Sequence, residues 1–163
     1  MLRVPIQART SQHTGDLLVR VDLQVLLCDL HGIWTSAVFR VDPGAEITMM
    51  AAAEAKRLGL PMPRLPVPGM ELRSSSGKAV SSVIRSGLLK VQIVGLPIFE
   101  MVIPCFFLGE PDTNGQAPLP PNLLGLSSIV NRLRLTFDGT PAPDARYGVL
   151  IVETLPVPNP PSA

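Results

Sequence analysis

The sequence predicts an all-β chain, mainly strands with one or two short helices, in a closed or sandwiched β domain. Three observations predict it. The 163 residues include 18 Pro and 13 Gly, about a fifth of the chain against roughly 12% in ordinary proteins, which leaves little room for long helices. Apolar residues make up 46% and charged ones 17%, enough to fill a core and too apolar for a disordered chain. Short runs with a two-residue period recur between turn signals, the mark of strands with one face buried. At 17.5 kDa the size fits one domain.

The elements follow in order. Residues 1–15 are polar and irregular and read as a flexible N-terminal arm. In residues 17–27, Val19, Val21, Leu23, Val25 and Leu27 alternate with Arg20, Asp22 and Gln24, which predicts a strand. Asp29-Leu30-His31-Gly32 is a turn, and residues 33–41 return as the second strand of a hairpin. Asp42-Pro43-Gly44-Ala45 turns sharply. Thr48 is suited to cap a helix over 49–58, stopped by Gly59 and Pro61. Residues 61–68 form an extended Pro-rich connector. Residues 70–73 and 79–84 flank Ser74-Ser75-Ser76-Gly77-Lys78, a hairpin with a mobile polar tip. Residues 88–94 and 98–107 are strands around Gly95-Leu96-Pro97, and 109–121 are an exposed loop. Leu123-Leu124-Gly125 is a short apolar strand ending on glycine. Ser127 or Ser128 caps a brief helix through Leu133. Residues 135–137 and 147–155 form a last hairpin after the Asp138-Gly139 turn, and 156–163 are a Pro-rich disordered tail.

Composition narrows the partners. Fourteen basic and 13 acidic residues leave a net charge of +1, without the basic footprint of a nucleic-acid binder. The seven aromatics are too few for a base-stacking platform. No run approaches the 18 or more apolar residues of a membrane span; the longest candidate, 101–109, contains Pro104. The N-terminus has no apolar segment of a secretory signal, so no membrane partner and a cytoplasmic location are expected. Cys28 and Cys105 stand 77 positions apart and read as buried thiols. Neither they nor His13 and His31 form a metal-ligand spacing, and no cofactor or metal is expected. Cys28 and His31 straddle a turn with no third partner for nucleophilic chemistry. Arg132 and Arg134 read as a solvated face.

Two segments carry chemistry together. The first is Ala37-Val38-Phe39-Arg40-Val41-Asp42-Pro43-Gly44-Ala45-Glu46-Ile47-Thr48, followed by Ala55-Lys56-Arg57-Leu58-Gly59-Leu60-Pro61. About 80 residues on come Asn122-Leu123-Leu124-Gly125 and the run from Val130 to Gly139. Over residues 17 to 139 this order resembles the retropepsin-like aspartic proteases, a single-domain group that includes the retroviral enzymes. In that family a strand delivers an Asp-Thr-Gly or Asp-Ser-Gly turn followed by Ala, and a later apolar-apolar-Gly strand threads beside it.

The resemblance implies a closed β-barrel-like acid protease fold with one lobe per chain, spanning residues 16–155. Asp42 takes the catalytic place and Pro43, Gly44 and Ala45 complete the active-site loop. Ser74, Ser75, Ser76 and Gly77 fall on the flap that closes over substrate. Leu123, Leu124 and Gly125 support the loop from below. Peptide hydrolysis by carboxylates needs one ionised group as base and one protonated group as acid, and two close carboxyls split their pKa values to provide both. Only one Asp-x-Gly turn follows an apolar strand, at Asp42; Asp112-Thr113-Asn114-Gly115 has an extra residue and reads as a turn. A polypeptide-cleaving homodimer with Asp42 from each copy on the two-fold axis is therefore expected. Gly44 is expected to serve a tight turn and close backbone approach.

Two positions depart from the family. Pro43 stands where the family has Thr or Ser, and supplies neither the hydroxyl nor the N–H that link the two loops. Leu126 and Ser127 stand where many members have Arg-Asp, which leaves Glu46 near solvent. These departures keep a second reading open, a catalytically impaired module of the same fold that binds peptide or protein without cleaving it.

Overall fold

Strand alternation, applied to short segments far apart in sequence, closes this chain. The computed structural model describes residues 1–12, 14–73, 79–81, 83–97, 100–111, 122–126 and 129–155. Among them are thirteen strands and one helix: β1 (Leu2–Pro5), β2 (Gln7–Thr10), β3 (Leu17–Arg20), β4 (Asp22–Cys28), β5 (Trp34–Val41), β6 (Thr48–Ala51), α1 (Ala52–Arg57), β7 (Leu72–Arg73), β8 (Ala79–Ser81), β9 (Ile84–Ile93), β10 (Met101–Leu108), β11 (Leu123–Leu124), β12 (Leu133–Asp138) and β13 (Val149–Thr154).

Six strands form a closed barrel in the order β10-β6-β11-β5-β4-β9. Its interior is the inward half of each alternation. Leu23, Val25 and Leu27 come from β4, Phe39 and Val41 from β5, Leu89, Val91 and Ile93 from β9, and Met101, Ile103, Cys105 and Phe107 from β10. The antiparallel β4–β5 and β9–β10 ladders join strands close in sequence, whereas β6 and β11 are threaded in from a distance. A three-stranded sheet, β1-β13-β12, adds Leu133, Leu150 and Val152 to the same core. The chain adopts the all-β class read from composition and periodicity, and of the closed and sandwiched arrangements it takes the closed one.

The elements differ from expectation in four places. The segment 1–15, read as a flexible arm, supplies β1 and β2. Leu2 and Val4 pack on the core and Ile6 is buried within it, a short two-residue period; β1 lies antiparallel on β13. Residues 17–27 are two strands, because the chain changes partners at Val21. Before it β3 pairs with β2, and after it β4 pairs with β5; continuous alternation does not reveal such a switch. Thr48 does not cap a helix. Thr48–Ala51 is a strand, parallel to β10 and antiparallel to β11, and α1 starts only at Ala52 with no side-chain cap. The helix ends as expected, at Gly59 with φ +67°. Gly59 N–H donates to Lys56 O and Leu60 N–H to Ala55 O, both at 3.0 Å, a Schellman stop. Finally, residues 129–133 form successive turns, with Leu133 N–H donating to Ile129 O at 2.7 Å, in place of a second helix. Ser127 and Ser128, the hairpin tip 74–78, most of the 109–121 loop and the tail 156–163 lie outside the described residues.

One buried cation ties the start of β9 to two neighbouring segments. Arg85 on β9 is 6% exposed. It donates to Arg64 O at 3.3 Å, Gly109 O at 2.8 Å and Glu110 Oε2 at 3.0 Å. These bonds fasten the 61–68 connector and the segment after β10 to β9. No helix of the described residues is long and apolar enough to cross a membrane.

Cys105 is fully buried and Cys28 half-buried, both as free thiols. Burial pushes the Cys105 thiol far above its ordinary range. The unfolded chain loses that proton near pH 8.5 while the folded chain keeps it. Its contribution is therefore fully present below about pH 8.5 and is lost as pH rises, by up to about 1.4 kcal/mol per unit. Thermal melts at about pH 7 and 9.5 should show wild type losing more stability than Cys105→Ala. Equal losses in the two proteins would refute the assignment.

Candidate active site

The end of β5 is held from both sides. Arg40 N–H donates to Asn122 O at 2.8 Å, Val41 N–H to Val21 O at 2.9 Å, and Asp42 N–H to Leu124 O at 3.3 Å. The Arg40 guanidinium meets Asp22 at 3.4 Å across the β4–β5 ladder, and the Asn122 amide donates to Val38 O at 3.2 Å. Asp42 thus leaves the barrel from a backbone fixed at three successive residues.

The turn that follows is compact. Ala45 N–H donates to Asp42 O at 3.1 Å and Gly44 N–H to Asp42 Oδ1 at 2.9 Å. Asp at the first and Pro at the second position suit such a turn, because Pro43 pre-sets its φ and its missing N–H is not needed. Asp42 is half-buried, Pro43, Gly44 and Glu46 are exposed, and Ala45 is half-buried. Gly44 sits in this tight turn, as expected. Its φ is not in the left-handed region, so the turn does not require glycine for its backbone angles. What favours it is space, because a Cβ there would sit 3.3 Å from Asp42 Oδ1.

Beneath the turn runs β11. It lies parallel to β5, with Leu123 opposite Arg40 and Leu124 opposite Val41, and antiparallel to β6. Leu124 is buried in the core. Gly125 then passes so close to β6 that a Cβ would lie 2.3 Å from Ile47 C and 2.7 Å from Thr48 N. Its N–H donates to Thr48 Oγ1 at 3.2 Å inside the protein. Leu126 N–H donates to Ala45 O at 3.0 Å and closes the loop on itself.

The structure brings Asp42, Pro43, Gly44 and Ala45 together with Leu123, Leu124 and Gly125. Ser74, Ser75, Ser76 and Gly77 lie outside the described residues; β7 and β8, which precede and follow them in sequence, pair antiparallel. Sequence reading missed the site roles of Thr48, Asn122 and Asp22. A lone hydroxyl between Ile47 and Met49 is the one signal that pointed to Thr48, since a polar group in an apolar run is buried against a partner. An open apolar groove of about 650 Å³, lined in part by Leu30, Met62 and Leu88, shares no residue with the Asp42 loop. Among the described residues no three His, Cys, Asp or Glu side chains gather as a metal site. Among the described residues Asp42 is the carboxylate that this turn carries at the end of the barrel.

No protein-family model matches the sequence, and no curated protein matches it. Among solved structures the chain is similar to a crystal structure of a retropepsin-like aspartic protease from Rickettsia conorii. The TM-score is 0.49 and the identity 14%, over 93% of this chain and 88% of that one. The chemistry open to this chain follows from its own geometry.

The crossing of β11 and β6 makes a graded prediction. Thr48→Val keeps the shape but orphans the buried Gly125 N–H, and should cost about 1–3 kcal/mol. Gly125→Ala forces two backbones apart and should cost more than about 3 kcal/mol. Urea unfolding of both variants tests the order; a Gly125→Ala protein within about 1 kcal/mol of wild type would show that the close passage is not a constraint.

Proposed function

We propose that the chain is a retropepsin-like aspartic endopeptidase that works as a homodimer on polypeptide. The observation that carries this is the Asp42 loop, a half-buried carboxylate on a turn whose backbone is tied to β11. In the proposed dimer the two Asp42 carboxyls face each other across the two-fold axis and share one proton. The ionised carboxylate takes a proton from water as the water oxygen attacks the peptide carbonyl. The protonated carboxyl gives its proton to the carbonyl oxygen, forming a tetrahedral gem-diol. Proton return to the amide nitrogen then releases amine and acid. Gly44 N–H holds one Asp42 oxygen in place and orients the carboxylate. The hairpin of β7 and β8 is the proposed cover for bound peptide, excluding water.

Pro43 favours the second reading, a protease-like module that binds peptide or a protein partner without cleaving it. The Asp42 turn closes without Pro43's N–H, so the fold is compatible with proline, but the residue has no donor to offer a second loop.

Cleavage of an unfolded protein between about pH 3 and 7, with inhibition by a pepstatin-type compound, tests the leading reading. Asp42→Asn should abolish cleavage and leave the fold intact, because the amide oxygen still accepts from Gly44 N–H. Activity surviving in Asp42→Asn would overturn the site.

Pro43→Thr separates the two readings. A hydroxyl and an N–H return at each loop, and one recovered bond per copy at about 0.5–1.5 kcal/mol tightens the dimer roughly five- to a hundred-fold. Release of the unfolded chain opposes this within each monomer by about 0.4–1 kcal/mol, so melting temperature is a poor readout. An unchanged dimer constant with no cleavage at any of these pH values would favour the binding module.

A further inference from the structure

We infer that the ribbon of β2 and β3 is a clasp that grips a second copy of this chain beside the paired Asp42 loops. The inference rests on the proposed dimer and names the surface that holds it.

The ribbon is uncovered. Among the described residues β2 and β3 pair only with each other, and a lone two-stranded ribbon is marginal in water. Its large apolar residues are Leu17, Leu18 and Val19, exposed by 54%, 45% and 60%. Successive residues of a strand point to opposite faces, so Leu18 presents one face and Leu17 and Val19 the other. The barrel strands bury one face and wet the other; this ribbon leaves apolar side chains bare on both.

The ribbon is also firmly rooted. Ile6 before it and Val21 after it are buried, and Ile6 N–H donates to Gly148 O at 2.9 Å. At its base Arg20 donates to Gln7 Oε1 at 2.9 Å and meets Asp22 at 3.4 Å. The root lies beside the candidate carboxylate, because Val21 O accepts from Val41 N–H, one residue before Asp42. Since β4 runs antiparallel to β5, the ribbon leaves the barrel at the end where Asp42 turns.

Position makes the second copy the occupant, because the ribbon is rooted beside the loop whose proposed chemistry needs a second Asp42. A stable interface covers about 800 Å² on each partner, which a four-residue turn does not supply, and Pro43 brings no donor to it. The ribbon is an apolar surface rooted at that end, and two-fold symmetry provides it twice. An extended peptide adding to the ribbon edge is the competing occupant.

Sedimentation equilibrium on wild type and on Leu17→Ser/Leu18→Ser/Val19→Ser tests this, with hydrogen exchange at low and high concentration. The variant's dimer should weaken at least ten-fold while its dilute melting curve matches wild type. In wild type, the amides of 17–19 and of Val41 and Asp42 should gain protection together as concentration rises. Leu18→Ser alone, which alters one face, should weaken the dimer about three-fold and checks the result if the triple change disturbs the ribbon. A triple variant that dimerises within two-fold of wild type overturns the clasp and leaves the dimer standing. Unchanged dimerisation with lost peptide binding makes the ribbon a peptide edge and overturns the clasp as well. Wild type that stays monomeric at every concentration, pepstatin-type ligand present, overturns both.

Discussion

The close passage of Gly125 against Ile47 and Thr48 is the constraint on which the rest of the site depends. At 2.3 Å from a hypothetical Cβ to the Ile47 carbonyl carbon, the two backbones meet at a separation that no side chain permits. That passage lets β11 lie between β5 and β6 and close the barrel ladder there. It also brings Leu124 O to Asp42 N–H and Leu126 N–H to Ala45 O. The turn holding the carboxylate is therefore clamped before and after by one short segment some 80 residues away in sequence. Packing and positioning share a cause: the glycine that completes the core also fixes the direction in which Asp42 leaves it.

Within that clamp the turn itself is locally self-sufficient. The Asp42 carboxylate and carbonyl accept the Gly44 and Ala45 N–H groups, so the donors a short turn would expose are used inside it. Proline suits such a turn because its fixed φ lowers the entropy of the unfolded chain. The same substitution removes an outward donor. Pro43 thus makes the single copy more self-contained and gives less to a second one, which is why it is the residue that divides cleavage from binding as readings of this site.

Much of the barrel and of the Asp42 loop is legible in sequence, and for definite reasons. Alternation locates β4, β5, β9 and β10, because each buries one face in the barrel. Leu123-Leu124-Gly125 is legible as a strand with a close approach, because glycine directly after an apolar pair marks a place where a neighbouring backbone leaves no room for a Cβ. The misplaced elements share a different physics. Thr48–Ala51 has the composition of a helix start, but two neighbouring strands impose extension on it, and tertiary pairing outweighs propensity. The partner switch at Val21 is invisible to periodicity because the side-chain pattern continues through it. β1 escapes detection because its apolar period spans only Leu2, Val4 and Ile6, among polar residues that mimic an arm.

The charge balance decides how two such copies would meet. A net charge of +1 produces neither appreciable repulsion between copies nor long-range attraction. Local charges are largely occupied at home: Asp22 serves Arg20 and Arg40, Glu54 serves Arg57, and Glu100 serves Lys90. Association then falls to apolar surface, which is non-directional and insensitive to ionic strength. Orientation has to come from elsewhere, and the rooted ribbon beside Val41 is suited to give it. A hydrophobic contact on a flexible tether would join two copies in many arrangements; the same contact on a strand pair anchored at Ile6 and Val21 selects few. For the proposed site, which would use two carboxylates at one axis, that selection would matter as much as affinity, because a dimer formed out of register would bring the two Asp42 groups nowhere near each other.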